Sequence, residues 1–173
     1  MNAHAHVLAT PIGPLTVVAA DGVVVAVRFA APDGSAALQP GDGPATTDPE
    51  VPVEPVLAAA VDQLHEYFNG ARQEFDLPLE PTGTVFQRRC WAALVELPYA
   101  TTTTYARQAD RLGDPRAVRA VGAANGRNPI PVIIPCHRVI GADGRLVGFG
   151  GGLAAKAWLL DHEQRTAGAQ LPL

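Results

Sequence analysis

The chain contains two thiols, Cys90 and Cys136, and only one has neighbours that suggest chemistry. Cys136 ends the stiff apolar run Asn128-Pro-Ile-Pro-Val-Ile-Ile-Pro135 and is followed by His137 and Arg138. The thiolate is the attacking form of cysteine, so a nucleophile at neutral pH needs a base or electropositive surroundings, and His137 with Arg138 supplies both types. Pro135 fixes the backbone ahead of Cys136, and the apolar run holds the thiol at the edge of a packed element. In an extended chain adjacent side chains point to opposite faces, so the expected Cys136 to His137 link is a bridging water. A Cys-His dipeptide alone is more often accidental than catalytic. Cys90 lies on the helical stripe Phe86, Cys90, Leu94 and Leu97 and is read as a buried, inert thiol.

The elements that must position Cys136 divide the chain in two. Residues 1–81 read as an N-terminal α/β domain. Leu15, Val17 and Ala19 alternate as a strand, Val23 to Phe29 is a β-branched run set off by Asp21-Gly22, and Leu57, Val61, Leu64 and Phe68 recur at helical spacing. Residues 31–55 are rich in Pro, Gly, Asp and Ala without period, as expected of a flexible surface loop. Asn69-Gly70 ends the helix, and Phe75, Leu77 and Leu79 alternate as a final strand. Residues 82–173, with a tail over 166–173, read as a mainly helical domain. Its first helix stops before Pro98. A short helix from Thr104 to Leu112, a turn at Gly113, and a helix opened by Asp114 with Pro115 in its first turn form a winged helix-turn-helix-like unit. The second of these helices is small-faced through Ala117, Ala120, Gly122, Ala123 and Ala124, with Arg116 and Arg119 projecting. The fold class is α+β.

Composition narrows the partners. The formal net charge is −4, which argues against a nucleic-acid partner, but residues 1–81 carry two cations against eleven carboxylates, a net −9. Residues 82–165 carry eleven cations against six carboxylates, a net +5, the electrostatic footprint of a DNA binder. No stretch approaches the roughly 20 apolar residues that span a bilayer, so no membrane partner and a cytoplasmic location are expected. Two cysteines are too few for a disulfide framework or a four-thiolate zinc site.

Pro135-Cys136-His137-Arg138-Val139 resembles the signature of the O6-alkylguanine-DNA alkyltransferases, also called methylated-DNA-protein-cysteine methyltransferases. The resemblance extends over most of residues 84–163, through Arg119-Ala-Val-Gly122, Asn128-Pro129, Gly151-Gly152-Leu153 and Trp158-Leu-Leu160, and Thr10-Pro-Ile-Gly-Pro14 is similar to the start of the family's first domain. It implies a protein that binds duplex DNA containing O6-alkylguanine, and O4-alkylthymine as well, and moves the alkyl group irreversibly onto Cys136. Glu163 would orient His137, Asn128 would brace the active turn, and Tyr105 would protonate the departing guanine. Arg119 would fill the hole left by the extruded base. Thr104, Ala120, Gly122, Pro131, Arg138, Val139, Phe149, Gly150 and Lys156 would contact DNA or the base. No cofactor is implied, and the cysteines and histidines of the zinc cluster found in some members have no match. A monomer is expected, with clustering along DNA left open. Phe149 stands where Tyr is usual, Ala100 where Gly is common, and Thr101 to Thr104 is an atypical run. A lesion-binding relative that does not transfer, a helix-turn-helix regulator and a cysteine hydrolase are the competing readings. Cys136, the missing second cysteine-rich module and the missing oxyanion motif count against them in turn.

Overall fold

The computed structural model describes residues 2–47 and 54–168. The fold is α+β, in two compact units that part between Pro81 and Thr82.

The first unit is a sheet with a helix on it. Strands β1 (Ala3–Leu8), β2 (Leu15–Ala20) and β3 (Val23–Phe29) are antiparallel neighbours, and the short β4 (Ala45–Thr46) pairs parallel with β1, giving the order β3-β2-β1-β4. Asp21 (φ 50°) and Gly22 (φ 86°) turn β2 into β3, the pair of positive φ values that a tight two-residue hairpin requires. Helix α1 (Pro55–Phe68) starts with Pro55 in its first turn and the Glu54 carboxylate on the Leu57 N–H, and it buries Leu57, Ala60, Leu64 and Tyr67. Residues 31–47 are more ordered than their composition suggests. β4 lies inside this span, and a buried Asp42 accepts from Arg28 at 2.7 Å and from the Gln39 N–H at 2.6 Å. Positions 48–53 of the expected loop and 169–173 of the expected tail lie outside the described residues. The expected strand at Phe75 to Leu79 is reduced to one bridge, Val24 to Leu79, because Pro78 has no N–H to extend a ladder.

The second unit holds Cys136. Helix α2 (Val85–Val95) is opened by a reciprocal capping box between Thr84 and Gln87 and buries Cys90, Trp91 and Leu94. Strand β5 (Thr103–Thr104) leads directly into α3 (Tyr105–Arg111), with the Thr104 hydroxyl capping the Arg107 N–H. Helix α4 is Val118–Gly126, starting later than expected: Asp114 and Pro115 belong to a turn in which the Asp114 side chain accepts from the Arg116 N–H and its carbonyl from the Ala117 N–H. The described part of the unit ends with α5 (Leu153–Thr166). Trp91 Nε1 donates to the Ala124 carbonyl at 2.9 Å, fixing α4 to α2. Arg119, Ala120 and Ala123 are exposed on α4, while Val121, Ala124 and Asn125 are buried.

Candidate active site

The reactive turn is built by a loop that crosses itself. Asn128 Nδ2 donates to the Ile134 carbonyl at 2.8 Å and its Oδ1 accepts from the Ile130 N–H at 3.0 Å, so one side chain ties the two ends of the apolar run together. Inside that run Val132 has φ 72°, a rare conformation for a β-branched residue, within a segment whose residues 130–139 are all buried. Cys136, His137 and Arg138 then form a 3-10 turn rather than extended chain. Strand β6 (Val139–Ile140) follows and pairs parallel with β5, so Thr103 and Thr104 bring Tyr105 beside the turn.

Cys136 lies on the wall of a cavity of about 290 Å³, the size of a small-molecule site. Tyr105 and Gly122 face it from α3 and α4, and Gly148, Phe149 and Gly150 close it from the loop before α5. Burial separates Cys90 from Cys136 less than composition suggests, since both are buried and desolvation raises both thiols above their ordinary value. The distinction is access and company. Cys136 opens on the cavity, and the Asn128 side chain and the Lys156 ammonium both favour its thiolate against the desolvation. Burial thus favours the protonated thiol at Cys136.

His137 is completely buried. Its Nε2 lies 2.7 Å from Glu163 Oε1, and its Nδ1 has no protein partner. Desolvation lowers the imidazole pKa, outweighing the carboxylate that raises it, so the ring is neutral and able to accept a proton. Glu163 is also completely buried, yet its pKa falls to about 2: burial opposes the charge, and the hydrogen bonds from His137 and Arg138 overcome it. Arg138 Nη2 and Nε each donate to Glu163 at 2.9 Å, and the Ala100 N–H adds a donor at 3.2 Å.

Several residues expected to meet DNA are placed elsewhere. Arg138 is buried, with Nη1 on the Leu97 carbonyl at 2.7 Å and its guanidinium 5.5 Å from the Tyr99 ring centroid. Lys156 is fully buried, and its Nζ donates to the carbonyls of Val139 at 2.6 Å and Val147 at 2.9 Å. Desolvated cations require such acceptors, and both side chains are therefore committed to the interior. Pro131 is buried within the reactive loop. Val139, also expected to contact DNA or the base, donates its N–H to the Cys136 carbonyl and accepts from Lys156 at its own carbonyl, so both backbone groups have partners within the protein. Tyr105 Oη donates to the Val147 carbonyl at 2.9 Å, and burial raises its pKa. Phe149 meets His137 edge to face at 6.5 Å. Arg119 and Ala120 are exposed on α4, and Gly150 is exposed at the cavity.

Sequence reading passed over a buried amide pair, Gln108 on α3 and Asn125 on α4, of which Asn125 lines the cavity. The available signal was spacing: each lies three residues after a cavity residue, Tyr105 and Gly122, on the same helical face. The Arg138 and Ala100 bonds to Glu163 had no signal in local sequence, because they join segments far apart in the chain.

Both halves of the chain match known families. Residues 4–81 match the ribonuclease-like domain of 6-O-methylguanine DNA methyltransferase, and residues 85–165 match its DNA binding domain. The methylated-DNA-protein-cysteine methyltransferase of Mycobacterium bovis is 44% identical over 170 residues, covering 98% of each chain. That of Methanosarcina barkeri is 55% identical over 105 residues, covering 61% of this chain and 66% of its own. The crystal structure of Mycobacterium tuberculosis O6-methylguanine methyltransferase superposes with a TM-score of 0.81 at 42% identity, covering 97% of this chain and 96% of that one. The Mycobacterium tuberculosis protein in complex with DNA gives 0.81 over 94% of each chain, also at 42% identity. With both domains matched in order and the cysteine signature set in a cavity, the chain belongs to the methylated-DNA-protein-cysteine methyltransferase family.

Proposed function

We propose that the protein repairs DNA by moving the alkyl group of O6-alkylguanine, and of O4-alkylthymine, onto Cys136 in a single irreversible event. The observation that carries this reading is the placement of one cavity-facing thiol beside a buried neutral histidine whose far nitrogen is fixed by an ionised carboxylate. His137 Nδ1 takes the thiol proton through a water, and Glu163 stabilises the imidazolium. Sulfur attacks the alkyl carbon, the carbon to O6 bond breaks, and its electron pair goes to the purine. Tyr105, kept protonated by its raised pKa, exchanges the Val147 carbonyl for the base and supplies the proton. The product is a thioether without an electrophilic carbonyl, so water does not regenerate the thiol and each protein acts once.

The target oxygen lies within the duplex stack, and reaching it costs a few kcal/mol of unpairing and unstacking. Arg119 stands exposed on α4 with Ala120 and Ala123 beside it, makes no hydrogen bond or ion pair among the described residues, and would enter the minor groove as the base leaves. Single-turnover transfer from methylated duplex and from free O6-benzylguanine tests both parts. Cys136→Ala should abolish transfer from both while preserving duplex binding, and Arg119→Ala should slow the duplex reaction far more than the free-base reaction. Transfer by Cys136→Ala at wild-type stoichiometry, or equal losses for Arg119→Ala on the two substrates, would contradict the respective assignment.

A further inference from the structure

We infer that Asn125 is a specificity-determining residue, held by Gln108 so that its side-chain amide presents an N–H donor to a ring nitrogen of the extruded purine. This rests on the reading of the cavity as the seat of that base. Gln108 and Asn125 are both buried and exchange two hydrogen bonds: Gln108 Nε2 to Asn125 Oδ1 at 3.2 Å, and Asn125 Nδ2 to Gln108 Oε1 at 2.7 Å. A lone amide pair of this kind can be inverted at both ends without losing a bond. Here a third contact removes that freedom. Gln108 Nε2 also donates to the Cys90 carbonyl at 3.3 Å, and inverting the Gln108 amide would set oxygen against oxygen.

The orientation of Asn125 therefore follows from a backbone carbonyl on α2. Its oxygen faces Gln108, and of the two N–H bonds on Nδ2 one is used by the pair while the second has no partner among the described residues. Asn125 lies on the cavity wall together with Gly122 and Gly126, the other α4 residues there, and as glycines these two bring no side chain of α4 into that space. A buried polar group kept with one donor unspent, beside a space that takes a heteroaromatic base, selects for an acceptor on that base. The exocyclic oxygen carries the alkyl group that Cys136 must reach and N1 carries the added proton in the guanine product, which leaves the purine ring nitrogens N7 and N3 as the acceptors for this donor.

The test uses duplexes carrying O6-methylguanine, its 7-deaza analogue or its 3-deaza analogue, with single-turnover transfer measured for the wild-type protein and for Gln108→Leu/Asn125→Leu. The double substitution removes both partners of the pair and so strands neither in the core. At least one deaza analogue should react about two- to tenfold more slowly than its parent in the wild type, the size expected for one hydrogen bond. In the double variant that same ratio should return to one, with the slow analogue identifying the nitrogen. Equal rates for all three lesions in the wild type would overturn the inference without recourse to a variant, as would a deaza penalty of the same size in both proteins. Absence of transfer from the O6-methylguanine parent itself would instead strike at the proposed function.

Discussion

At the scale of single residues, the site turns on where each charge is placed. The sequence brings Cys136, His137 and Arg138 together, with His137 expected to reach the thiol through a bridging water and Arg138 to supply positive charge beside it. In the structure the three residues share a 3-10 turn but serve different partners: Cys136 the cavity, His137 the Glu163 carboxylate, and Arg138 the same carboxylate and the Leu97 carbonyl. Residue type was legible in the sequence, while the direction of each side chain was not, because it depends on a helix that begins fifteen residues later. Phe149 is the residue at which this chain departs from the family pattern within the cavity, and its edge-to-face contact with His137 depends on the ring alone. Phe149→Tyr should therefore change the single-turnover rate on methylated duplex by less than about threefold. Phe149→Ala should lower it by about tenfold or more, since stacking of a base on an aromatic ring is worth about 1–3 kcal/mol. A large gain from Tyr would show that the missing hydroxyl matters, and an unimpaired Ala variant would remove Phe149 from the base-binding wall.

At the scale of elements, the sequence was most informative where periodicity and capping agree. The apolar stripe of α2 and the stop before Pro98 appear as the spacing implies, and the structure adds the Thr84-Gln87 capping box at its start. It was least informative where a helix start had two candidates. Asp114-Pro115 carries the signals of an N-terminus, yet the Asp114 side chain stabilises a turn and α4 begins at Val118 without a side-chain cap. Likewise, low periodicity in residues 31–47 concealed β4, whose two residues are too short to show alternation. The Tyr99-Ala100 turn offers a quantitative test of local strain. Ala100 has φ 58°, its N–H donates to Glu163 and its carbonyl accepts from Gln164 at 2.7 Å. A left-handed alanine costs about 1–2 kcal/mol, part of which a glycine returns through its freer unfolded chain. Ala100→Gly should thus stabilise the protein by about 0.5–1 kcal/mol, read from urea midpoints, without slowing transfer. A loss of stability would mean that the turn tolerates alanine without strain.

At the scale of the whole molecule, the split of charge between the two halves was readable from composition, but the buried charges were not. Arg138, Lys156 and Glu163 enter the net charge of residues 82–165 although none reaches the surface, so the exposed positive charge of this unit is carried by other arginines such as Arg119. The same interior charges set an acid limit on stability. Glu163 titrates at about 2 in the folded protein against an ordinary 4.5, and His137 lies below its ordinary 6.5. For both groups the unfolded chain binds the proton more readily, so stability should decline as pH falls below about 6.5 and more steeply from about 4.5 toward 2. Urea midpoints across this range should show that decline, and Glu163→Gln should flatten its lower part; a midpoint independent of pH would contradict the assigned ionisation states. The central claim, that Cys136 is consumed by the alkyl group it removes, is tested most directly by intact-protein and peptide mass spectrometry after reaction with excess O6-methylguanine duplex. A gain of one methyl group per chain is expected, carried on the peptide containing Cys136 and unchanged by longer incubation. An unmodified protein with intact lesions, or repaired DNA with an unmodified Cys136, would contradict it.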